Sequence, residues 1–189
     1  MNPLIFCTGN QEKFANAELV CKSHSIDVVQ RRLEIAEIQS ENAEEILQDK
    51  LAKAYDLIGQ PVLVSDDSWE IPDLKGFPGP YMKSINTWFK PEDYLRLTLP
   101  LEDRSIYLVQ WLGFTDGTEV KTFQLRTKGT LLREIKGEYG AANHKLVTMD
   151  GDNGKSIAEI YDQGLNRDDR AVSQNWHEFA RWYKSANAR

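Results

Sequence analysis

The sequence predicts an α/β fold with a mixed, partly antiparallel sheet flanked by helices, and three observations support this class. Short apolar runs alternate with helical patterns in the first half of the chain. Two longer apolar runs in the middle flank a turn signal, Asp116-Gly117, and the end of the chain returns to a helical pattern. Strands and helices mixed in this way are typical of α/β proteins.

The first half is predicted to contain three strands and two helices. The strands are residues 4–7, 26–29 and 61–64; the first helix begins near residue 10 and the second spans 44–57. Asn42 and Glu45 have the spacing of a capping box at the start of the second helix. The third strand is predicted to end at the polar run Ser65-Asp66-Asp67-Ser68.

The middle of the chain predicts a hairpin, and the end predicts a helix. Residues 106–114 and 120–127 flank Asp116-Gly117, a dipeptide that favours hairpin turns, and Leu131-Leu132 extends the meander. The last helix presents apolar side chains on one face: Trp176, Phe179, Ala180 and Tyr183. A chain of 189 residues, 41% hydrophobic, is long enough to bury a core over residues 1–189, as one domain or as two lobes.

Charge and composition exclude several classes of partner. The net charge of −6 argues against binding to nucleic acid or to a membrane surface. The longest apolar stretch, 106–115, is too short to span a bilayer, and the N-terminus lacks a signal-peptide pattern. Cys7 and Cys21 lack paired spacing, which favours a cytoplasmic protein with free thiols. The scattered histidines, His24, His144 and His177, argue against a histidine metal site.

The first strand runs directly into Thr8-Gly9-Asn10-Gln11-Glu12-Lys13, where a helical pattern begins. A helix N-terminus carries partial positive charge and backbone N–H groups, and Asn10 is a favourable N-cap. This turn therefore predicts a phosphate site, with an ordinary strand–helix connection as the alternative.

Two further lysines are candidates for a phosphate site. Lys50 falls within the apolar stripe of the second helix, where it either snorkels to solvent or projects into a cleft. The residues of this stripe are Ala43, Ile46, Leu47, Leu51, Ala54 and Leu57. Lys53 is predicted to be solvated. Lys83 follows the rigid loop Gly76-Phe77-Pro78-Gly79-Pro80, which is either a connecting turn or a support for a basic group.

Acidic residues follow the third predicted strand, at the edge where open α/β sheets bind their ligands. Asp66 and Asp67 supply carboxylates there, and Glu37 precedes the second helix. Mg²⁺ binds oxygen ligands and usually takes one or two carboxylates together with substrate phosphates. Turn and capping chemistry is the alternative explanation of the Asp-Asp-Ser run.

Four short motifs occur in a distinctive order. They are Thr8-Gly9-Asn10-x-x-Lys13, Glu37-Ile38-Gln39 with Glu45 and Lys50, Val64-Ser65-Asp66-Asp67, and Gly79-Pro80-Tyr81-x-Lys83. Together they resemble the inosine triphosphate pyrophosphatase family, the Ham1/RdgB-like house-cleaning enzymes. The later segments Phe123-x-x-Arg126-Thr127-x-Gly129 and Ala158-Glu159 are also similar to that family.

The resemblance implies an ITPase-like (Maf/Ham1) fold, an elongated α/β protein of two lobes with a central cleft, usually a homodimer. Such enzymes use Mg²⁺ to hydrolyse non-standard purine nucleoside triphosphates such as ITP, dITP and XTP to the monophosphate and pyrophosphate. The implied triphosphate ligands are Thr8, Asn10, Lys13, Lys50 and Lys83. Glu37 and Asp66 are the implied metal ligands. The family's acidic pair aligns with Ser65-Asp66 or with Asp66-Asp67, so Asp66 and Asp67 are treated together as the catalytic unit that binds metal and activates water.

The C-terminal half departs from the family in its base-selecting segments. An aromatic-Gly-aromatic-Asp-Pro segment is replaced by Tyr139-Gly140-Ala141-Ala142-Asn143, and a Lys-x-Ala-x-Ser-His-Arg segment is replaced by residues 169–175. The His-Arg pair thus becomes Gln174-Asn175, whose amides both donate and accept hydrogen bonds. The family's lysine becomes Asp169, with Arg170 beside it.

Three hypotheses follow from these patterns. The first is a Mg²⁺-dependent pyrophosphatase with altered or relaxed base selectivity, in which Gln174 and Asn175 contact the base. The second is a catalytically weak nucleotide-binding relative with a sensing or partner role. The third is an α/β domain whose motifs reflect ancestry alone. The retained lysines and carboxylates favour the first, because binding alone does not require metal ligands.

Overall fold

The computed structural model describes residues 3–164 and 173–187. Among them, the chain divides into two compact units. The first unit contains the described parts of Met1–Asp67, Gln110–Leu125 and Ser173–Arg189; the second contains those of Ser68–Val109 and Arg126–Val172. Each unit has its own buried apolar core.

The described strands form one mixed sheet, as the sequence predicts. The strands are β1 (Leu4–Cys7), β2 (Val28–Arg31), β3 (Val62–Glu70), β4 (Pro78–Gly79), β5 (Ser105–Thr115), β6 (Val120–Leu131) and β7 (Val147–Met149). Their order is β2-β1-β3-β5-β6-β7, with β4 paired to β3. β1 is parallel to β2 and β3, whereas the β3–β4 and β6–β7 pairs are antiparallel.

Helices flank this sheet. They are α1 (Gln11–Ser23), α2 (Ala43–Ile58), α3 (Met82–Trp88), α4 (Pro91–Thr98), α5 (Ile157–Asp162) and α6 (Gln174–Asn187). No helix within residues 3–164 and 173–187 is both long enough and apolar enough to cross a bilayer.

The core of the first unit consists of two clusters, because successive side chains of a strand point to opposite faces of a sheet. One cluster joins Phe6 and Leu63 to residues of α1 and α6. The other joins Val62 and Val64 to apolar residues of α2, including Leu47. α1 therefore covers one face of the parallel strands and α2 covers the other.

The hairpin predicted at Asp116-Gly117 is confirmed. Gly117 has φ +91°, and the Asp116 carboxylate accepts hydrogen bonds from the backbone N–H groups of Thr118 and Glu119 at 2.8 Å. Asp116 thereby orders the turn between β5 and β6.

Two predicted boundaries were wrong. The second strand begins at Val28 instead of Ile26, because Ser25 and Ile26 donate backbone hydrogen bonds to Lys22 and Cys21 and so complete the end of α1. The third strand does not end at Ser65. It continues to Glu70, because Trp69 and Glu70 pair with β4.

Two predictions about α2 also need correction. Asn42 caps the helix by accepting from the N–H of Glu44, but the capping box does not form, because the Asn42 N–H donates to Ser40 Oγ. Leu57, predicted to lie in the apolar stripe, is 63% exposed. The free, buried thiols of Cys7 and Cys21 agree with the sequence prediction.

Arg104 organises the second unit in a way that the sequence does not indicate. Its half-buried guanidinium donates to three backbone carbonyls, those of Thr98, Leu131 and Leu132, at 2.7–2.8 Å. These bonds join the end of α4 to the end of β6.

We expect Arg104→Ala to lower the free energy of unfolding by about 3 kcal/mol, because hydrogen bonds from a charged donor contribute about 1.5–3 kcal/mol each and are not additive. Urea denaturation measures this change. Arg96→Ala removes a largely exposed arginine of α4 and serves as the control, with an expected change below about 0.5 kcal/mol. Equal stability of the two variants would contradict this role.

Two histidines that are 153 positions apart in sequence lie together in the first unit. His24 Nε2 and His177 Nδ1 are 3.0 Å apart and connect the end of α1 to α6. Desolvation lowers the pKa of His24, and the nearby His177, Lys184 and Arg181 lower it further.

A lowered pKa means that the unfolded chain binds this proton more readily than the folded chain. The free energy of unfolding should therefore fall as the pH drops through about 6.5, the ordinary histidine pKa. Thermal denaturation between pH 5 and 8 checks this. His24→Asn should flatten the pH dependence, and an unchanged profile in this variant would refute the interpretation.

Candidate functional site

Five charged side chains of the first unit form what we term the charge cluster: Lys13, Glu37, Lys50, Asp66 and Asp67. Lys13 Nζ lies 3.1 Å from Asp67 Oδ2. Lys50 Nζ lies 2.8 Å from Glu37 Oε1 and 3.8 Å from Asp66 Oδ1. The structure thus brings together two predicted phosphate ligands and all three predicted acidic residues.

The register of β3 explains this grouping. β1 ends at Cys7, opposite Val64, and β3 continues beyond it, so Asp66 and Asp67 project past the end of the parallel pair. Asp66 shares a face with Val64 and therefore meets Lys50 of α2. Asp67 shares the opposite face with Leu63 and therefore meets Lys13 of α1. Neighbouring aspartates consequently pair with lysines from different helices.

The carboxyl group of Asp66 has a raised pKa. Desolvation raises its pKa, Lys50 and Lys13 lower it, and Glu37 and Asp67 raise it. Desolvation is the largest of these effects. Burial therefore disfavours the charged form of Asp66, and the nearby lysines offset part of that cost.

The turn after β1 is formed as an N-cap. Asn10 Oδ1 accepts from the backbone N–H groups of Glu12 and Lys13 at 2.8 and 3.1 Å, and Thr8 Oγ1 accepts from the Asn10 N–H. The sequence predicted that the N–H groups at this helix end are available to phosphate. For Glu12 and Lys13 this was wrong, because both N–H groups already donate to Asn10. The side chains of Thr8, Asn10 and Lys13 remain the predicted ligands.

Lys53 was wrongly predicted to be a merely solvated charge. It donates to the backbone carbonyl of Ala36 and to Asp49, at 2.8 and 2.7 Å. The irregular segment that carries Glu37 is thus held against α2 at two adjacent residues, Ala36 and Glu37. In the sequence, the i, i+3 spacing of Lys50 and Lys53 places both lysines on the same face of α2, where both can contact this segment.

Lys83 belongs to the second unit and so lies outside the charge cluster. It occupies the first turn of α3 and is exposed. Its role as a triphosphate ligand stays a prediction.

The two predicted base contacts have different environments at the start of α6. Gln174 is exposed, and its amide donates to Glu178 at 3.1 Å. Asn175 is only 3% exposed; its amide donates to the Gln110 carbonyl and accepts from the Trp176 N–H. These contacts give Asn175 a structural role and favour Gln174 as the accessible residue. Asp169 and Arg170 lie outside the described residues.

Segment 139–143 replaces an aromatic-rich motif of the family. Its remaining aromatic ring, that of Tyr139, packs against another ring. Tyr139 stacks on Tyr161 with ring centroids 4.6 Å apart. Asn143 is fully buried, and its amide atoms have no hydrogen-bond partner among the described residues. The second unit thus contains a stacked tyrosine pair and a buried amide close together in sequence.

The donor set of the charge cluster suits a hard cation. Glu37 and Asp66 both present carboxylate oxygens to one positive charge, the Lys50 ammonium. Oxygen ligands of this kind fit Mg²⁺. Within the described part of the chain, no group of three or more His, Cys, Asp or Glu side chains is arranged to hold a metal.

Comparison with known proteins supports the resemblance found in the sequence. The family model described as the Ham1 family matches residues 4–169. A dITP/XTP pyrophosphatase of Saccharolobus solfataricus is 32% identical over 85% of this chain and 83% of its own length. An inosine triphosphate pyrophosphatase of Ajellomyces capsulatus is 34% identical over 70% of this chain and 72% of its own.

A solved structure shows the same fold. The HAM1 protein of Coxiella burnetii superimposes with a TM-score of 0.77 at 15% identity, covering 98% of this chain and all of the other. The predicted ITPase-like mixed sheet with flanking helices is therefore confirmed. On the family match and the sequence identity, the chain belongs to the Ham1 family.

Proposed function

We propose that this protein is a Mg²⁺-dependent nucleoside triphosphate pyrophosphatase that converts non-standard purine nucleoside triphosphates to the monophosphate and pyrophosphate. Relatives named dITP/XTP pyrophosphatase and inosine triphosphate pyrophosphatase support the reaction class. The observation that carries the proposal is the charge cluster, in which two lysines and three carboxylates of this chain lie side by side. The lysines provide positive charge to bind the phosphate groups. The carboxylates provide oxygen ligands for the metal that hydrolysis uses.

Each member of the charge cluster has a role in this reaction. Lys13 and Lys50 offset the negative charge of the triphosphate, and the neutral side chains of Thr8 and Asn10 help to orient it. Glu37 and Asp66 would hold Mg²⁺, which would supply positive charge to offset the negative charge of the phosphate oxygens. Asp67 accepts a proton from the attacking water as the bond between the α- and β-phosphates breaks. Lys83 is also proposed as a triphosphate ligand, as the resemblance implies.

The role of Asp67 as proton acceptor follows from the opposite orientations of the two aspartates. Asp66 faces the same ammonium as Glu37, whereas Asp67 pairs separately with Lys13. When Lys13 contacts phosphate, Asp67 loses its partner and becomes a stronger hydrogen-bond acceptor. Asp66 and Asp67 thus act together on metal and water, as the sequence predicts, with distinct tasks.

The family resemblance and the cysteines support a proposal for the assembly and the location of the protein. We propose a homodimer, as the resemblance implies, and sedimentation analysis measures its mass. The free buried thiols of Cys7 and Cys21 suit a cytoplasmic location. The alternative function, a weakly catalytic nucleotide-binding relative, predicts nucleotide binding without appreciable pyrophosphate release.

The first functional prediction separates the two aspartates. Asp67→Asn should lower kcat by about 10²–10⁴-fold, the usual contribution of general acid–base catalysis, while leaving Mg²⁺ binding intact. Asp66→Asn should weaken Mg²⁺ binding as well as turnover. Pyrophosphate release and calorimetric titration of Mg²⁺ measure the two effects.

Asp56→Asn removes an exposed carboxylate of α2 and should leave both quantities unchanged. Full activity of the double variant Asp66→Asn/Asp67→Asn, or of the wild-type protein in EDTA, would disprove the mechanism. Release of orthophosphate in place of pyrophosphate would do the same.

The second functional prediction concerns the base. A pocket that lacks specific hydrogen bonds discriminates between substrates by only about 10–200-fold, so kcat/KM for ITP should exceed that of the best alternative nucleotide by less than about 100-fold. Gln174→Ala should change the ranking of nucleotides more than the overall rate. Asn175→Ala should chiefly lower stability, because Asn175 is buried. A preference of several orders of magnitude for ITP or XTP would contradict relaxed selectivity.

A further inference from the structure

Lys50 forms ion pairs, through its ammonium group, with two carboxylates that the proposed function assigns to the metal. Its ammonium lies 2.8 Å from Glu37 and 3.8 Å from Asp66, and its side chain is only 18% exposed. A lysine that is assigned to phosphate is therefore already bound to the metal ligands. The Lys50 ammonium can therefore pair either with the carboxylates of Glu37 and Asp66 or with the phosphates of the substrate.

The two arrangements exclude each other on electrostatic grounds. A divalent cation between Glu37 and Asp66 repels an ammonium held at the same oxygens. A triphosphate faces the same carboxylates and is repelled by them unless a cation lies between. Each ligand alone therefore meets a site whose charges are already paired.

We propose that Lys50 is an exchange residue that couples the binding of metal and triphosphate. Contact with a triphosphate draws the Lys50 ammonium away from Glu37 and Asp66, and this frees both carboxylates for Mg²⁺. Coupling is reciprocal, so Mg²⁺ at these carboxylates also releases Lys50 toward the phosphates. This inference rests on the proposed function and adds to it a coupling between the metal and the triphosphate through one residue.

Lys13 provides the internal comparison. It is also close to Asp66 and lowers the pKa of that carboxyl group, but its own ion pair is with Asp67, on the opposite face of β3. Removal of Lys13 or of Lys50 deletes one positive charge near the carboxylates. Only removal of Lys50 deletes the ammonium that Glu37 and Asp66 hold in common.

The test begins with calorimetric titration of Mg²⁺ into the nucleotide-free protein. We expect Lys50→Met to bind Mg²⁺ about 5- to 150-fold more tightly than wild type, the range usual for coupling between sites. Lys13→Met should show a clearly smaller gain, and Lys22→Met, an exposed residue of α1, should show none. Lys50→Gln repeats the measurement with a polar side chain if the methionine variant is unstable.

The second measurement is the affinity for α,β-methylene adenosine triphosphate with and without saturating Mg²⁺. The ratio of the two affinities removes the direct contribution of Lys50 to phosphate binding. This ratio should fall in Lys50→Met by about the factor by which its Mg²⁺ affinity rises.

Three results would overturn the exchange: unchanged Mg²⁺ affinity in Lys50→Met, equal gains in Lys50→Met and Lys13→Met, or an unchanged ratio. Pyrophosphate release by the wild-type protein is assayed on the same preparation. Its absence would refute the proposed function, whereas activity combined with any of the three results would refute the exchange alone.

Discussion

The alternation of side chains along β3 is the constraint on which the candidate site depends. Asp66 follows the face of Val62 and Val64 and meets α2, whereas Asp67 follows the face of Leu63 and meets α1. Two neighbouring aspartates can therefore take different lysine partners, Lys50 and Lys13. A shift of one residue in this register would exchange the two faces and separate every pair.

The surrounding fold supports this arrangement from both sides. Lys53 donates to the Ala36 carbonyl and so holds Glu37 within reach of Lys50. The Asn10 cap orders the first turn of α1, which contains Lys13. Helix packing and strand register thus gather opposite charges at the end of the parallel strands. Their mutual pairing offsets the desolvation of Asp66, and it also means that ligands must displace contacts that already exist.

Much of this could be predicted from the sequence, because the signals are local. Apolar runs, the Asn10 cap and the Asp116-Gly117 turn each depend on a few neighbouring residues, and the structure contains all three. The continuation of β3 to Glu70 involves the pairing of Trp69 and Glu70 with β4, and the contact of His24 with His177 depends on the packing of α6 on α1. The burial of Asn175 likewise follows from tertiary packing, which no short motif encodes.

The central claim is that the charge cluster is the site of triphosphate and metal. A crystal structure with an α,β-methylene nucleoside triphosphate and Mg²⁺ tests it most directly. The account predicts phosphate oxygens within hydrogen-bond distance of Lys13 and Lys50 Nζ, with the metal on Glu37 and Asp66. A triphosphate bound elsewhere, with both lysines still paired to their carboxylates, would contradict it.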